Sequence, residues 1–331
     1  MIRFSRILFV VLLSWLVGCA PAVYKPGQPV IEALLLEDRY ITPDGSWLPV
    51  RKWLPEPGQT KAVLIALHGF NDYSRFFEEP GAFLKEKGIA SYAYDQRGFG
   101  QSPRRGLWSG IDAYTEDLDL FVRLIKSKHP GLPVYLLGES MGGAVIIAAM
   151  SREEATPVSG LILSAPAVWS RETMPWYQRS LLWLMSHTMP WMTLTGRGLK
   201  IQASDNIEML RELGSDPLVI KETRVETIHG LTDLMDSASN NAQNIHVDTL
   251  MLYGEKDEVI PKQPTLRFLR DFLDTEGADR TVAFYENGYH MLLRDLQAKV
   301  IWRDIAAWVK ASHKPLPSGA DQRDWRMLAK R

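Results

Sequence analysis

Gly138-Glu139-Ser140-Met141-Gly142 puts a hydroxyl between two glycines where the strand-length apolar run Val134-Tyr135-Leu136-Leu137 gives way to the helix-permissive Gly143-Ala144-Val145-Ile146-Ile147. A strand, a Gly-x-Ser-x-Gly turn and a helix in that order form a nucleophile elbow, which presents the serine outward at the positive end of the helix dipole. Gly138, Gly142 and Gly143 let strand, turn and helix approach closely there. A serine hydroxyl is a poor nucleophile until a base takes its proton, and the base needs an acid to hold its tautomer. The chemistry within reach of Ser140 is therefore acyl transfer, provided the chain supplies a histidine and a carboxylate.

The chain has seven histidines. His129 sits at a helix stop, His313 near the end, His246 before a strand, and His187 and His229 in a long segment without a clear strand. Only His68 and His290 directly follow strands. When a base and an acid serve such an elbow, the chain order is serine, acid, histidine, with the acid after a late strand and the histidine after the last. His68 comes before the elbow, whereas His290, in Asn287-Gly288-Tyr289-His290, follows the final strand pattern Val282 to Tyr285. The strand Thr249 to Tyr253 runs into Gly254-Glu255-Lys256-Asp257-Glu258, which offers Glu255, Asp257 and Glu258 as the acid. Asp95 also ends a strand, but ahead of the serine, where it suits the Arg97-Gly98 turn. Nothing in the chain has Cys/His clustering or His-Glu-x-x-His spacing, and the chemistry calls for no metal or cofactor.

The elements that must position these groups alternate between strand and helix patterns from Ala62 onward. That alternation predicts an α/β fold with a mostly parallel central sheet covered by helices on both faces. Strands are expected at Ala62 to Leu67, Ile89 to Tyr94, Val134 to Leu137 and Leu161 to Leu163, and then in the acid and histidine segments. Helices are expected after Phe70 as far as Lys87, over Ile111 to Lys128, and over Leu292 to Val309. In such a sheet the loop after an early central strand provides a second oxyanion donor. His68-Gly69-Phe70 occupies that place, so the backbone N–H groups of Phe70 and Met141 are the expected pair. Ahead of the sheet, Glu32 to Leu36 and Trp47 to Trp53 flank the turn-forming Thr42-Pro43-Asp44-Gly45 and predict a hairpin.

The alternation breaks once, between Ala165 and Val247, a span far longer than the ~2–6-residue loop plus helix of an ordinary crossover. The segment leaves the sheet at a strand's carboxyl end, the edge where open α/β sheets bind ligands. It is expected to form a helical cap over residues 166–246, inserted before the acid-bearing strand. Trp169, Trp176, Tyr177 and Trp183 are its candidate substrate contacts. The core then comprises residues 30–165 and 247–310, and 311–331 reads as a surface tail.

The chain has 331 residues, 46% of them hydrophobic, and a net charge of -1, so it can bury a large core and lacks the basic excess of a nucleic-acid binder. Residues 1–18 carry Arg3 and Arg6, a short apolar core and a small-residue end, as a secretory signal does. Leu16-Val17-Gly18-Cys19 resembles the bacterial lipobox. Cys19 is the only cysteine, so it is expected to be the lipid-attachment site and the first residue of the mature chain, followed by a Pro/Gly-containing tether over 19–29. That would attach the protein to a membrane of the bacterial cell envelope. With Ala20 rather than Asp behind the cysteine, the expected place is the outer membrane, facing the periplasm.

His68-Gly69-Phe70, Tyr94 to Ser102, Gly138 to Gly143, Gly254-Glu255-Lys256-Asp257 and His290 together resemble the serine hydrolases of the α/β-hydrolase superfamily, and within it the monoacylglycerol lipase and lysophospholipase group. The resemblance spans about Leu36 to Trp308. It implies the α/β-hydrolase fold, Asp257 as the acid, and a Ser140, Asp257, His290 triad under a helical cap that hydrolyses esters of single-chain lipids. Esterases of small esters and aminopeptidases use the same framework. A non-catalytic lipid-binding lipoprotein would not need all three residues in this order. The chain departs from the group at Tyr73-Ser74, where His before Ser is usual, and at Phe99, where His is usual.

Overall fold

The computed structural model describes residues 21–324 apart from 197, 199, 275 and 276, so the expected signal segment and Cys19 lie outside the described residues. The strands are β1 (Leu34–Leu35), β2 (Arg39–Ile41), β3 (Trp47–Trp53), β4 (Ala62–Leu67), β5 (Ile89–Tyr94), β6 (Val134–Glu139), β7 (Gly160–Ser164), β8 (Thr193–Thr195), β9 (Glu222–Arg224), β10 (Thr249–Gly254) and β11 (Arg280–Tyr285). The helices are α1 (Glu78–Glu86), α2 (Ile111–Lys128), α3 (Met141–Met150), α4 (Trp176–Thr188), α5 (Ile207–Ser215), α6 (Val225–Asn240), α7 (Lys262–Leu273) and α8 (Ala298–Lys310).

Among the described residues nine strands form one sheet in the order β1-β2-β3-β5-β4-β6-β7-β10-β11, parallel from β5 to β11. Every residue of β4, β5 and β10 is buried, which is why these strands read as unbroken apolar runs rather than alternating ones. Alternate side chains still serve different layers. Val63, Ile65 and Leu67 join the face packed by α2 and α3, while Leu64 and Ala66 join the face packed by Trp302, Ile305 and Trp308 of α8.

The structure departs from the sequence expectations at the periphery. The hairpin partner of β3 is β2, and Leu34–Leu35 pairs with β2 as a third antiparallel strand. The closing helix starts at Ala298, after a short 3-10 turn at Leu292–Arg294. The helix α7 was not anticipated. Residues 21–29 are laid on the body rather than left as a free tether: Tyr24 N donates to Trp108 O (2.8 Å), Arg104 Nη1 to Lys25 O (3.2 Å) and Gly27 N to Asp44 Oδ2 (3.2 Å). A segment that its prolines keep from forming helix still has backbone groups to satisfy, and neighbouring loops do so here. Leu316 and Ala320 are buried with the α8 face, so the first part of the tail is core edge rather than surface appendage.

The segment between β7 and β10 is not uniform. The helix α6 buries Val225, Gly230, Leu234 and Ala238, and a Cβ at Gly230 would overlap the Trp108 indole. It therefore belongs to the helical layer of the core. The helix α4 buries only Ser186 and α5 buries no residue; with the antiparallel ribbon β8-β9 they form the part that rises off the sheet. The ribbon is strand in a segment expected to be mostly helical.

Candidate active site

Ser140 sits between β6 and α3 with φ 52° and ψ -114°. The left-handed region costs a non-glycine residue about 1–3 kcal/mol and persists only where the surroundings impose it. Here Ser140 N donates to Ser164 O (2.9 Å), and Ser140 O accepts from Ala144 N (3.1 Å) and Ala167 N (2.9 Å). A Cβ at Gly138 would overlap the Gly142-Gly143 backbone, and one at Gly142 would overlap Leu67 O. The glycines are thus required by close approach, and Ser140 is left half-buried.

Two loops from neighbouring strand ends supply the base and acid. His290 Nδ1 lies 2.8 Å from Asp257 Oδ2, and both residues are buried. The other carboxylate oxygen, Oδ1, accepts from Val259 N (2.8 Å) and Ile260 N (3.1 Å), which locks the acid's orientation. The alternative carboxylates are engaged elsewhere: Glu255 pairs with Arg323 at 2.7 Å, and Glu258 Oε2 accepts from Gln202 N at 2.9 Å. Burial pushes the His290 pKa down, but the charge of Asp257, its hydrogen bond and the charge of Glu139 outweigh burial and leave it raised. With Nδ1–H donating to Asp257, Nε2 is the nitrogen free to take a proton.

The turn after β4 is built around His68, whose ring is fully buried. Gln96 N donates to Nε2 (3.0 Å), so Nδ1 carries the hydrogen and donates to Gly69 O (2.8 Å). Burial lowers the His68 pKa and keeps the ring neutral. Gly69 lies against Ser140, with 3.4 Å between a Cβ built there and the serine Cβ. The N–H groups of Phe70 and Met141 have no hydrogen-bond partner among the described residues. Phe99 packs edge-on against His68 and Phe70, with centroids 5.5 and 5.7 Å away. Asp95 receives Ser74 N and Oγ on Oδ1 and Gln101 N on Oδ2, joining the β4 and β5 loops.

Sequence reasoning missed a buried charge cluster beside the elbow. Arg294 Nη2 lies 2.7 Å from Glu139 Oε1 and 2.8 Å from Asp72 Oδ2. Burial raises the Glu139 pKa against the pull of Arg294, and its charge in turn acts on His290. The available signals were weak: Glu139 is the variable second position of the pentapeptide and Arg294 falls four residues after His290.

The aromatic residues expected to contact substrate are divided. Trp169 packs against the core two residues beyond Ala167, whose N–H is bonded to the elbow. Trp176, Tyr177 and Trp183 are 72%, 56% and 59% exposed on α4. A helix with a single buried residue turns its aromatic side chains to solvent regardless of its apolar pattern. A cavity of 310 Å³ lies between the β4 loop and α5, lined among others by Tyr73, Phe76, Met209 and Leu213, and it shares Asp72 and Arg294 with the charge cluster.

A family model described as "Serine aminopeptidase, S33" matches residues 58–297. Monoglyceride lipase of Mus musculus is 28% identical over 286 residues, covering 85% of this chain and 91% of its own length. Monoacylglycerol lipase of Mycolicibacterium smegmatis is 24% identical, covering 78% and 90%. Among solved structures, a soluble variant of monoglyceride lipase from Saccharomyces cerevisiae superposes with a TM-score of 0.68 at 20% identity, covering 88% of this chain and 97% of that one. The model match spans well over half the sequence and includes the elbow and both loops, so the chain belongs to this serine aminopeptidase family and is a hydrolase of the α/β-hydrolase fold.

Proposed function

We propose that the protein is a serine hydrolase that cleaves carboxylic esters of single-chain lipids, of the monoacylglycerol or lysophospholipid type, through an acyl-enzyme on Ser140. The observation that carries this reading is the buried 2.8 Å Asp257–His290 pair, which joins the loops after β10 and β11, together with an elbow serine held at positive φ. Ser140 attacks the ester carbonyl while His290 takes its proton and passes it to the leaving alcohol; water then repeats the cycle. The Phe70 and Met141 N–H groups receive the developing oxyanion. The lipid ester follows from the similarity to monoglyceride lipases. The family's description favours a second reading, aminopeptidase activity. Fluorophosphonate labelling that is lost on replacing Ser140 tests the chemistry. Comparing 1-monoacylglycerol with an aminoacyl p-nitroanilide tests the substrate, and preference for the anilide would overturn the lipid assignment.

Because His290 must be neutral to accept a proton and its pKa is raised, kcat/KM for a neutral ester is expected to rise with pH along a limb whose midpoint lies above 6.5, the ordinary imidazole value. A midpoint at or below that value would mean that Asp257 and Glu139 do not act on the ring as described.

The membrane assignment is also part of the proposal. Cys19 would carry the lipid and hold the enzyme on the outer membrane, facing the periplasm. Cells fed labelled palmitate are expected to label the native chain and not the Cys19→Ser variant. A mature chain that begins beyond Cys19 would make the enzyme a freely secreted one.

A further inference from the structure

We propose that Asn71 is a positioning residue through which the inserted ribbon aims the Phe70 oxyanion donor. The inference rests on the serine-hydrolase reading above and concerns how the second donor is held. That donor lies in the turn Gly69 to Asp72, which contains a glycine and, at Asn71, a φ of 64°; its local sequence does little to stiffen it. Its first half is fastened to the buried His68, whose Nδ1–H donates to Gly69 O (2.8 Å), while Asp72 N closes the turn on the same oxygen (3.3 Å). Its second half is fastened to the insert. Asn71 O accepts from Ile220 N (3.0 Å), and Asn71 Nδ2 donates to Thr223 Oγ1 (2.7 Å).

Thr223 is well placed to act as an anchor. It is 8% exposed and lies in β9, opposite Leu194 of β8, so its hydroxyl is carried by a paired strand rather than a free loop. Asn71 Oδ1 is buried without a hydrogen-bond partner among the described residues, so the bond to Thr223 orients the amide. A second link, Tyr73 Oη to Asp216 Oδ2 at 2.7 Å, closes the insert onto the same loop two residues further on. The Phe70 peptide is therefore bracketed between the His68 ring and the insert. An oxyanion donor contributes only if it already points where charge develops, so a clasp on the adjacent residue acts on turnover rather than on ground-state binding.

Hydrolysis of p-nitrophenyl butyrate provides the test. Thr223→Val keeps the side-chain shape and removes the acceptor; kcat is expected to fall about tenfold while KM stays within about twofold, the pattern of a displaced donor. Thr223→Ser should restore kcat to within about twofold. Asn71→Gly, which tolerates the positive φ, should match Thr223→Val, and the double variant should lose no more than either single one. Affinity for an alkyl boronate, which forms a tetrahedral adduct at the serine, should weaken in the same ratio as kcat/KM. Unchanged kcat and boronate affinity in Thr223→Val, or a rise in KM alone, would overturn the proposal. If Asn71→Gly does not fold, the Val and Ser pair at 223 decides. Failure of the wild type to react with fluorophosphonate at Ser140 would overturn the underlying reading; wild-type labelling with Thr223→Val turning over equally fast would overturn only the clasp.

Discussion

Ser140→Ala is expected to lower kcat for a short p-nitrophenyl ester by about 10³-fold or more, the usual scale for loss of a nucleophile. The thermal midpoint should hardly move. Ser140 is not fully buried, the hydrogen bonds that impose the positive φ are made by the backbone, and alanine fits the same space. Changes away from buried contacts usually stay within about 0.5 kcal/mol. Activity near that of the wild type in a folded variant would remove Ser140 from the mechanism. A large drop in thermal midpoint would instead show that the serine side chain holds the elbow together.

Asp257→Asn is expected to be comparably damaging, about 10⁴-fold in kcat, because it changes the tautomer of the base rather than its position. Asp257 Oδ1 receives two backbone N–H groups, so an asparagine keeps its oxygen there and turns its NH₂ toward His290 Nδ1. The imidazole must then accept at Nδ1 and carry its hydrogen on Nε2, where it cannot take a proton from serine. Glu255→Gln and Glu258→Gln should stay within about threefold of wild type, since Glu255 pairs with Arg323 and Glu258 with Gln202 N. Adding Ser140→Ala to Asp257→Asn should cost little beyond the serine change alone, as expected for groups that act as a unit. Turnover of Asp257→Asn within about tenfold of wild type would assign the acid elsewhere.

The core of this fold was legible because its signals are short-range. Each parallel strand is a run of buried apolar residues that ends at its loop, and the helix over Ile111–Lys128 carries its own periodicity and stop. The elbow was legible for the same reason, since a strand, a glycine-flanked serine and a helix are contiguous. The edges were less so. A two-residue strand such as Leu34–Leu35 has no periodicity of its own, and the helix α6 shows no sign in its sequence that it packs on the core rather than on the insert.

What the sequence alone determined about this protein is its fold class, the serine and histidine that are the candidates for acyl transfer, and the chain order that leaves the candidate acid to one short loop. Tertiary structure decided the rest. Residue types left Glu255, Asp257 and Glu258 equivalent, and only resemblance favoured Asp257. The parallel pairing that sets Gly254 beside Tyr285 brings the two loops together, and the backbone bonds to Oδ1 then turn one carboxylate toward the imidazole. The cluster of Glu139, Arg294 and Asp72 and the clasp between Asn71 and Thr223 join residues far apart in the chain. Local patterns record which face of an element is buried and how a turn is made. Which side chain meets which across two loops depends on strand register and helix docking, and no stretch of sequence contains those by itself.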